Sequence, residues 1–285
     1  MIEGEPSRTA RRVATLRAVH QIRETPKVLD DPLAVRIMGA DVERKIRDNP
    51  KRYENLLDRP LRAALVSRAA FAEESLAAAI ERGVDQMVIL GAGLDTFAYR
   101  SPLAPRLKRI FEVDFPATQE WKRKRLADAG IAIPANLAFA PIDFTRDTLE
   151  AGLQRAGVDL ARPVFFSWLG VTYYLERDTV LATFDTIGRL PAGSEIVFDY
   201  SESVSGQSLA IRLVFRFLSW RVARMGEPWK SHFSPAEMRA ELGARGFGDI
   251  EDLGADAINA RWFAGRADGL AMRGLVHFVR ARVAR

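Results

Sequence analysis

The sequence predicts an α/β fold built on a seven-stranded, mostly parallel sheet with an antiparallel last strand. Three observations carry this. No strand pattern precedes residue 86; from there short apolar runs alternate with amphipathic helical segments. The last two strand runs then follow each other with no helix pattern of ordinary length between them. Continuous apolar strands alternating with helices indicate a parallel sheet covered on both faces, whereas strands lacking a crossover helix pair antiparallel.

In order along the chain, the first eighty residues read as helical throughout. Ser7 or Thr9 caps a helix running to about Glu24, which Pro26 stops, and Asp30-Asp31-Pro32 opens another toward Met38. A further helix carries Leu61, Leu65, Ala72 and Leu76 on one stripe and closes at Gly83. Strands are expected at 86–90, 107–113, 137–142, 164–167, 195–200, 247–253 and 275–283. Helices are expected between them at 118–129, 149–156 and 178–190. Seven strands in this order fit the Rossmann-like class I methyltransferase sheet better than a six-stranded dinucleotide fold. The expected organisation is one domain over 1–285, with a helical cap (1–85), a cofactor-binding core (86–200), a lid insertion (201–245) and the final strands (246–285).

Composition narrows the chemistry. With 48% hydrophobic and 28% charged residues, the 285-residue chain is ordinary globular material, which excludes disorder, collagen and coiled coil. Cysteine is absent, so disulfides, Cys-based zinc sites and thiol nucleophiles are out. Three histidines, His20, His232 and His277, leave little for a metal centre, and none is expected. No signal peptide is visible in the polar start, so none is expected, and the longest apolar stretches, such as 165–175, are far short of the ~20 residues of a membrane span. A soluble, cytoplasmic protein is therefore expected. The net charge of +5 balances 42 Lys and Arg against 37 Asp and Glu spread along the chain. The one dense run, Lys122-Arg123-Lys124-Arg125, reads as a solvated helix face, so the expected partner is a small molecule and not a nucleic acid. The oligomeric state stays open.

Three strand ends carry the ligand signal. The first strand runs into Gly91-Ala92-Gly93-Leu94-Asp95-Thr96, where glycines permit close backbone approach and a following helix offers free N–H groups. Thr96 stands where a dinucleotide fingerprint has its third glycine, which counts against NAD or FAD. The second strand ends in Asp114, placed either to accept ribose hydroxyls or to cap the helix at Pro116; Phe115 beside it is counted with the binding residues. The third ends in Asp143-Phe144, an acid for an exocyclic amino group and a ring to pack on adenine. Ligands bind at this carboxyl edge in open α/β sheets.

Arg68 is an independent line. It lies inside the apolar stripe of its helix with Ala64, Leu65, Phe71 and Ala72 around it, so no carboxylate of that helix can pair with it. A buried cation needs a partner, supplied either by a carboxylate elsewhere in the fold or by a ligand such as the methionine end of S-adenosyl-L-methionine. With the strand-end motifs present, the ligand is the favoured partner. Arg17 is similarly unpaired at helical spacing.

The chain resembles the leucine carboxyl methyltransferase-like family of S-adenosyl-L-methionine-dependent methyltransferases, including its bacterial O-methyltransferase branch. The resemblance rests on SRTARRVATLRA, LDDPLA, the Arg68 helix, VILGAGLDTFAYR, FEVDFPATQEWKRKRL, PIDFTRD, FFSWLGVTYYLERD and ARWFAGRADG. It implies that Arg68, Gly91, Asp114, Asp143 and Phe144 bind S-adenosyl-L-methionine; Arg17, Ala92, Gly93, Phe115 and Leu169 join them as candidates. Leu169 stands where the family often has Glu, and Phe97 where it often has Arg. Both departures weaken the transfer of a substrate from better-known relatives.

Methyl transfer is an in-line displacement that depends chiefly on placing the acceptor. A carboxylate acceptor needs no base, whereas a hydroxyl usually does. Tyr173 and Tyr174, just after the fourth strand, are candidates to orient an acceptor, with packing as the alternative. His232, ahead of Ser234-Pro235, is the best candidate base; His20 reads as a satisfied core residue and His277 as a strand residue. The insertion at 201–226 reads as a lid with Arg212, Arg216 or Arg221 facing an anionic substrate. O-methylation of a small-molecule carboxylate or hydroxyl is expected. The alternatives are an NAD-dependent oxidoreductase and a relative that binds the cofactor without turnover.

Overall fold

The computed structural model describes residues 8–142, 147–203 and 229–284. Helix α1 (Arg8–Arg23) ends ahead of Pro26, whose ring disfavours a helical residue before it, and α2 (Leu33–Met38) follows Asp31-Pro32. The region read as helical throughout also holds α3 (Ala40–Asp48), for which no separate bounds were expected, and then the 24-residue α4 (Asp58–Glu81). The α4 stripe is buried as its spacing predicts: Ala72 and Leu76 pack with Phe71 against Met87 and Ile89 of the first strand.

The strands are β1 (Gln86–Leu90), β2 (Arg109–Asp114), β3 (Leu137–Pro141), β4 (Phe165–Trp168), β5 (Glu195–Ser201), β6 (Phe247–Leu253) and β7 (Val276–Val283). They form one sheet in the order β3-β2-β1-β4-β5-β7-β6. Strands β1 to β5 pair in parallel, and β7 runs antiparallel between β5 and β6. Side chains alternate across a strand, so one strand feeds two cores. Val88, Phe166 and Phe198 enter the core on one face; Met87, Ile89, Phe165 and Val197 enter the other. The order reverses between β1 and β4, which makes the crevice at their carboxyl ends the place for a ligand.

Helices α5 (Phe97–Arg100), α6 (Pro116–Asp128), α7 (Leu149–Ala156) and α8 (Arg177–Gly188) link the parallel strands. Helix α9 (Pro235–Ala244) opens with a capping box between Ser234 and Glu237. Between β6 and β7 lies an eight-residue helix, α10 (Ala255–Trp262), that the sequence pattern did not show. It buries only Ile258 fully and has no side-chain cap, so neither usual signal is present.

The basic run on α6 is not the solvated face its composition suggested. Lys122 is 1% exposed, with Nζ 2.7 Å from Oε2 of the fully buried Glu112 on β2. Burial pushes the Glu112 carboxyl up to about 7, although Lys122 opposes this. Arg123 stacks 3.9 Å from the Phe139 ring centre, and Arg125 donates to Ile37 O at 2.9 Å. Lys122 is thus spent inside the protein and Arg125 is half-buried, because one side of α6 packs against the sheet and the cap, while Arg123 and Lys124 stay exposed.

His20 is fully buried: Nε2 accepts from Val28 N–H at 3.1 Å and Nδ1 lies 3.0 Å from Glu24. Among the described residues, no helix is long and apolar enough to cross a membrane.

Candidate active site

The loop after β1 is strapped to the end of β2. The N–H groups of Gly91 and Ala92 donate to Val113 O at 2.8 and 3.0 Å, and Gly93 N–H donates to Asp114 Oδ2 at 2.6 Å. Gly91 has φ +69, and a Cβ there would lie 2.6 Å from Val171 Cγ2, so both backbone and packing require glycine. These bonds consume the donors expected to face a ligand. The helix that follows, α5, is four residues long and begins only at Phe97. A helix this short offers little of the N-terminal seat that a pyrophosphate needs, so the NAD alternative is not favoured. A nucleoside without phosphates suits such a loop.

Asp114 accepts from Gly93 N–H and, through Oδ1, from Phe115 N–H at 2.7 Å. Burial holds its carboxyl above the ordinary value even though both N–H groups oppose the shift. Thr118 also bonds this carboxylate, and three donors leave one of its roughly four lone-pair sites for a ribose hydroxyl. Asp143 and Phe144 lie outside the described residues.

Arg68 finds its partner within the fold. Its Nη1 donates to Asp199 Oδ2 on β5 at 2.8 Å and to Tyr173 Oη at 3.3 Å. The favoured expectation of a ligand as the partner is corrected to that extent: the charge is already balanced, by a carboxylate 131 positions away in the chain. Burial works against the guanidinium charge, but Asp199 and Tyr173 more than offset it and hold Arg68 protonated. Asp199 Oδ1 takes Gly170 N–H at 2.5 Å, tying the same carboxylate to the turn after β4. The acid was overlooked in the sequence, yet a carboxylate between Phe198 and Tyr200 in an apolar strand is itself a signal, since a buried charge needs a partner.

Arg17 is also not unpaired. It bonds the fully buried carboxylate of Asp31 and donates to Thr96 Oγ1 at 2.7 Å, while Thr96 donates to Asp31 Oδ2 at 2.8 Å. Arg100 Nε lies 3.3 Å from Asp31. This latch joins α1, the start of α2 and the loop after β1, three segments whose contact no spacing rule reveals. Arg17 thereby supports the loop from behind.

The turn after β4 carries Leu169, half-buried against the α4-side core, and the 3₁₀ turn Thr172–Tyr174. Tyr173 and Tyr174 meet edge to face at 4.7 Å, and Trp229 lies 6.2 Å from Tyr173. Residues 229–233 lie alongside them: Lys230 N–H donates to Tyr173 O at 2.7 Å, and Ser231 Oγ donates to Thr172 O at 2.9 Å. Phe233 pairs with Glu202 past the end of β5 and packs in the core with Tyr200. Successive side chains alternate in an extended segment, so His232 points away from the layer that takes Phe233. Burial lowers the His232 imidazole below its ordinary value. The fold therefore brings Arg68, Tyr173, Tyr174 and the His232 segment to the carboxyl edge at β4 and β5. Most of the expected lid, including Arg212, Arg216 and Arg221, lies outside the described residues.

His277 is apart from this group. It pairs with Tyr200 across β5 and β7, on the opposite face from Asp199, with Nδ1 2.7 Å from Asp252 and Nε2 3.4 Å from Glu202. Among the described residues, no cluster of three or more His, Asp or Glu suits a metal ion.

Known proteins fit this geometry. The leucine carboxyl methyltransferase family matches residues 10–188, from α1 to the end of α8. The chain belongs to that family. It is 31% identical over 302 residues to YktD of Bacillus subtilis, a candidate S-adenosyl-L-methionine-dependent methyltransferase, with 99% of each chain covered. A second candidate of the same kind, from Mycobacterium marinum, is 30% identical over 85% of this chain and 75% of its own length. Crystal structures of a DUF574 family protein from Streptomyces avermitilis and a candidate methyltransferase from Thermobifida fusca superpose with TM-scores of 0.61 and 0.59. The first covers 99% of both chains, the second 100% of this one and 97% of its own; at 19% and 18% identity, they speak to the fold alone. This methyltransferase uses S-adenosyl-L-methionine. The residues present suit that cofactor: a loop with little of a phosphate seat, an acid at β2 with a spare lone pair, and a charge-held arginine.

Proposed function

We propose that this methyltransferase O-methylates a small-molecule acceptor, a hydroxyl or a carboxylate, held over the carboxyl ends of β4 and β5. The observation that carries the reading is the docking of 229–233 on Thr172–Tyr174, which places a histidine segment beside two tyrosines at the edge where Arg68 lies. Arg68 would hold the amino-acid carboxylate of S-adenosyl-L-methionine, Asp114 its ribose, and Gly91 to Gly93 would allow the backbone to approach closely. When bound, the cofactor supplies an electrophilic methyl group on a sulfonium.

The chain's own task is placement and proton handling. Burial and the Asp199 charge hold the Tyr173 phenol protonated, well above its ordinary value, so it donates a hydrogen bond and does not serve as base. The lowered His232 is neutral near pH 7 and can take the proton of an acceptor hydroxyl as the oxygen gains its methyl. A carboxylate acceptor would bypass that step.

A mass-spectrometric screen of a metabolite extract for a gain of ~14 Da identifies the acceptor by the mass that one methyl transfer adds. His232→Gln separates the two acceptor classes. For a hydroxyl it should lower kcat by about 10²-fold or more and remove the acid limb of the pH–rate profile. A kcat within about twofold of wild type on a hydroxyl acceptor excludes His232 as base.

A further inference from the structure

Asp199 is a buried acid to which the placement just described gives no role toward the cofactor. It is 1% exposed, so no ligand reaches it directly. Its carboxylate is divided between two elements: Oδ1 accepts from Gly170 N–H and Oδ2 from Arg68 Nη1. Its main-chain oxygen also accepts from Thr172 Oγ1. One strand residue thus holds the arginine of α4 and the turn that carries Tyr173.

The packing around the guanidinium is equally restrictive. Gly170 has φ +75, and a Cβ there would lie 2.6 Å from Arg68 Nη2, 2.9 Å from Nη1 and 3.1 Å from Cζ. The planar group lies flat on a glycine because nothing larger fits. Both hydrogen bonds that Arg68 donates among the described residues leave from Nη1, so its other edge, Nη2, is the one held ready for a second carboxylate.

We infer that Asp199 is a positioning residue for the amino-acid end of the cofactor: with Gly170 it fixes the Arg68 guanidinium so that Nη2 meets the ligand carboxylate without reorganisation. This rests on the reading of Arg68 as the contact for that carboxylate. A carboxylate is required at 199 because both of its oxygens face donors. An asparagine would turn its NH₂ toward either Gly170 N–H or Arg68 Nη1, and the guanidinium would lose its orientation.

The test compares two nucleosides by calorimetry on the full chain. S-adenosylhomocysteine carries the amino-acid end, and 5′-methylthioadenosine lacks it. Asp199→Asn should weaken S-adenosylhomocysteine at least about tenfold while leaving methylthioadenosine within about twofold of wild type. Gly170→Ala, which displaces the guanidinium without altering the acid, should give the same pattern and decides the matter if Asp199→Asn does not fold. Equal weakening of both nucleosides, or unchanged affinity for S-adenosylhomocysteine, overturns the positioning role. Arg68→Ala separates the two levels. If it weakens S-adenosylhomocysteine while Asp199→Asn and Gly170→Ala do not, only the inference about Asp199 fails; if Arg68→Ala has no effect, the assignment of Arg68 fails with it.

Discussion

Asp31→Asn removes the charge at the centre of the latch between the N-terminal helices and the loop after β1, and leaves the shape of the side chain. The Asp31 carboxylate is fully buried and accepts from Arg17, from Thr96 Oγ1 at 2.8 Å and from Ala34 N–H at 3.1 Å, with Arg100 Nε at 3.3 Å. Without it, Arg17 keeps only Asp95 at 3.8 Å as a carboxylate partner among the described residues. Breaking a buried pair of this kind costs about 3–5 kcal/mol, because the remaining charge stays buried. At about 2–4 °C per kcal/mol for a chain of this size, Tm should fall by roughly 6–20 °C. Thr96 ends the loop that begins at Gly91, so loss of the latch should also weaken S-adenosylhomocysteine by about tenfold, equivalent to ~1.4 kcal/mol. Thermal melts with and without that ligand, together with calorimetry, measure both effects.

The pH dependence carries a sign of its own. Burial raises the Asp31 pKa, but Arg17, Arg100 and Thr96 outweigh it, and the net shift is downward. Its stabilisation is therefore present above the ordinary carboxylate value and is lost as pH falls through the lower folded value, so the deficit of Asp31→Asn should shrink in strong acid. A Tm within about 2 °C of wild type at pH 7 refutes the latch as a stabilising element. A large fall in Tm with unchanged ligand affinity refutes its link to the loop.

Other outcomes follow from the same reasoning. Asp114→Ala should weaken S-adenosylhomocysteine and methylthioadenosine alike, by about 10- to 100-fold, since both carry the ribose and the loss is of a charge-assisted bond worth ~1.5–3 kcal/mol; calorimetry with the two ligands checks it. Lys122→Met should cost about 3–5 kcal/mol near pH 8 by stranding Glu112, and Lys122→Met with Glu112→Gln should recover part of it; urea titrations of both variants give the difference. For His277, burial lowers the pKa, but Asp252 and Glu202 prevail and raise it, so its stabilisation is complete below the ordinary histidine value and declines as pH rises through the higher folded one. His277→Gln should flatten that decline in denaturation midpoints measured from pH 6 upward.

The legible parts of this protein are the local ones. The β1 run QMVIL and its Gly-Ala-Gly exit are read within eight residues, and the α4 stripe within about five turns, because strand and helix periodicities are short-range properties. The switch from helices to alternating strands near residue 86 predicts the sheet. The small helix α10 escaped because its burial rests on Ile258 alone. The basic run on α6 misled for a different reason: composition counts charges, but the cap and β2 decide which of them meet water. Lys122 and Arg125 are adjacent in pattern to Lys124, and only the packing distinguishes them.

By itself, the sequence determined the strand order along the chain, the turn chemistry at Gly91 and Gly93, the acid at the tip of β2 and an arginine placed on an apolar face. Each is set by residue type and spacing within one or two elements. Only the tertiary structure decided the partners. Arg68 and Asp199 are separated by 131 residues, Arg17 and Thr96 by 79. A buried charge announces that it needs a counterpart, but Coulomb attraction carries no address in the chain, so the counterpart is known only once the sheet has brought β5 under α4 and the N-terminal helices onto the loop after β1.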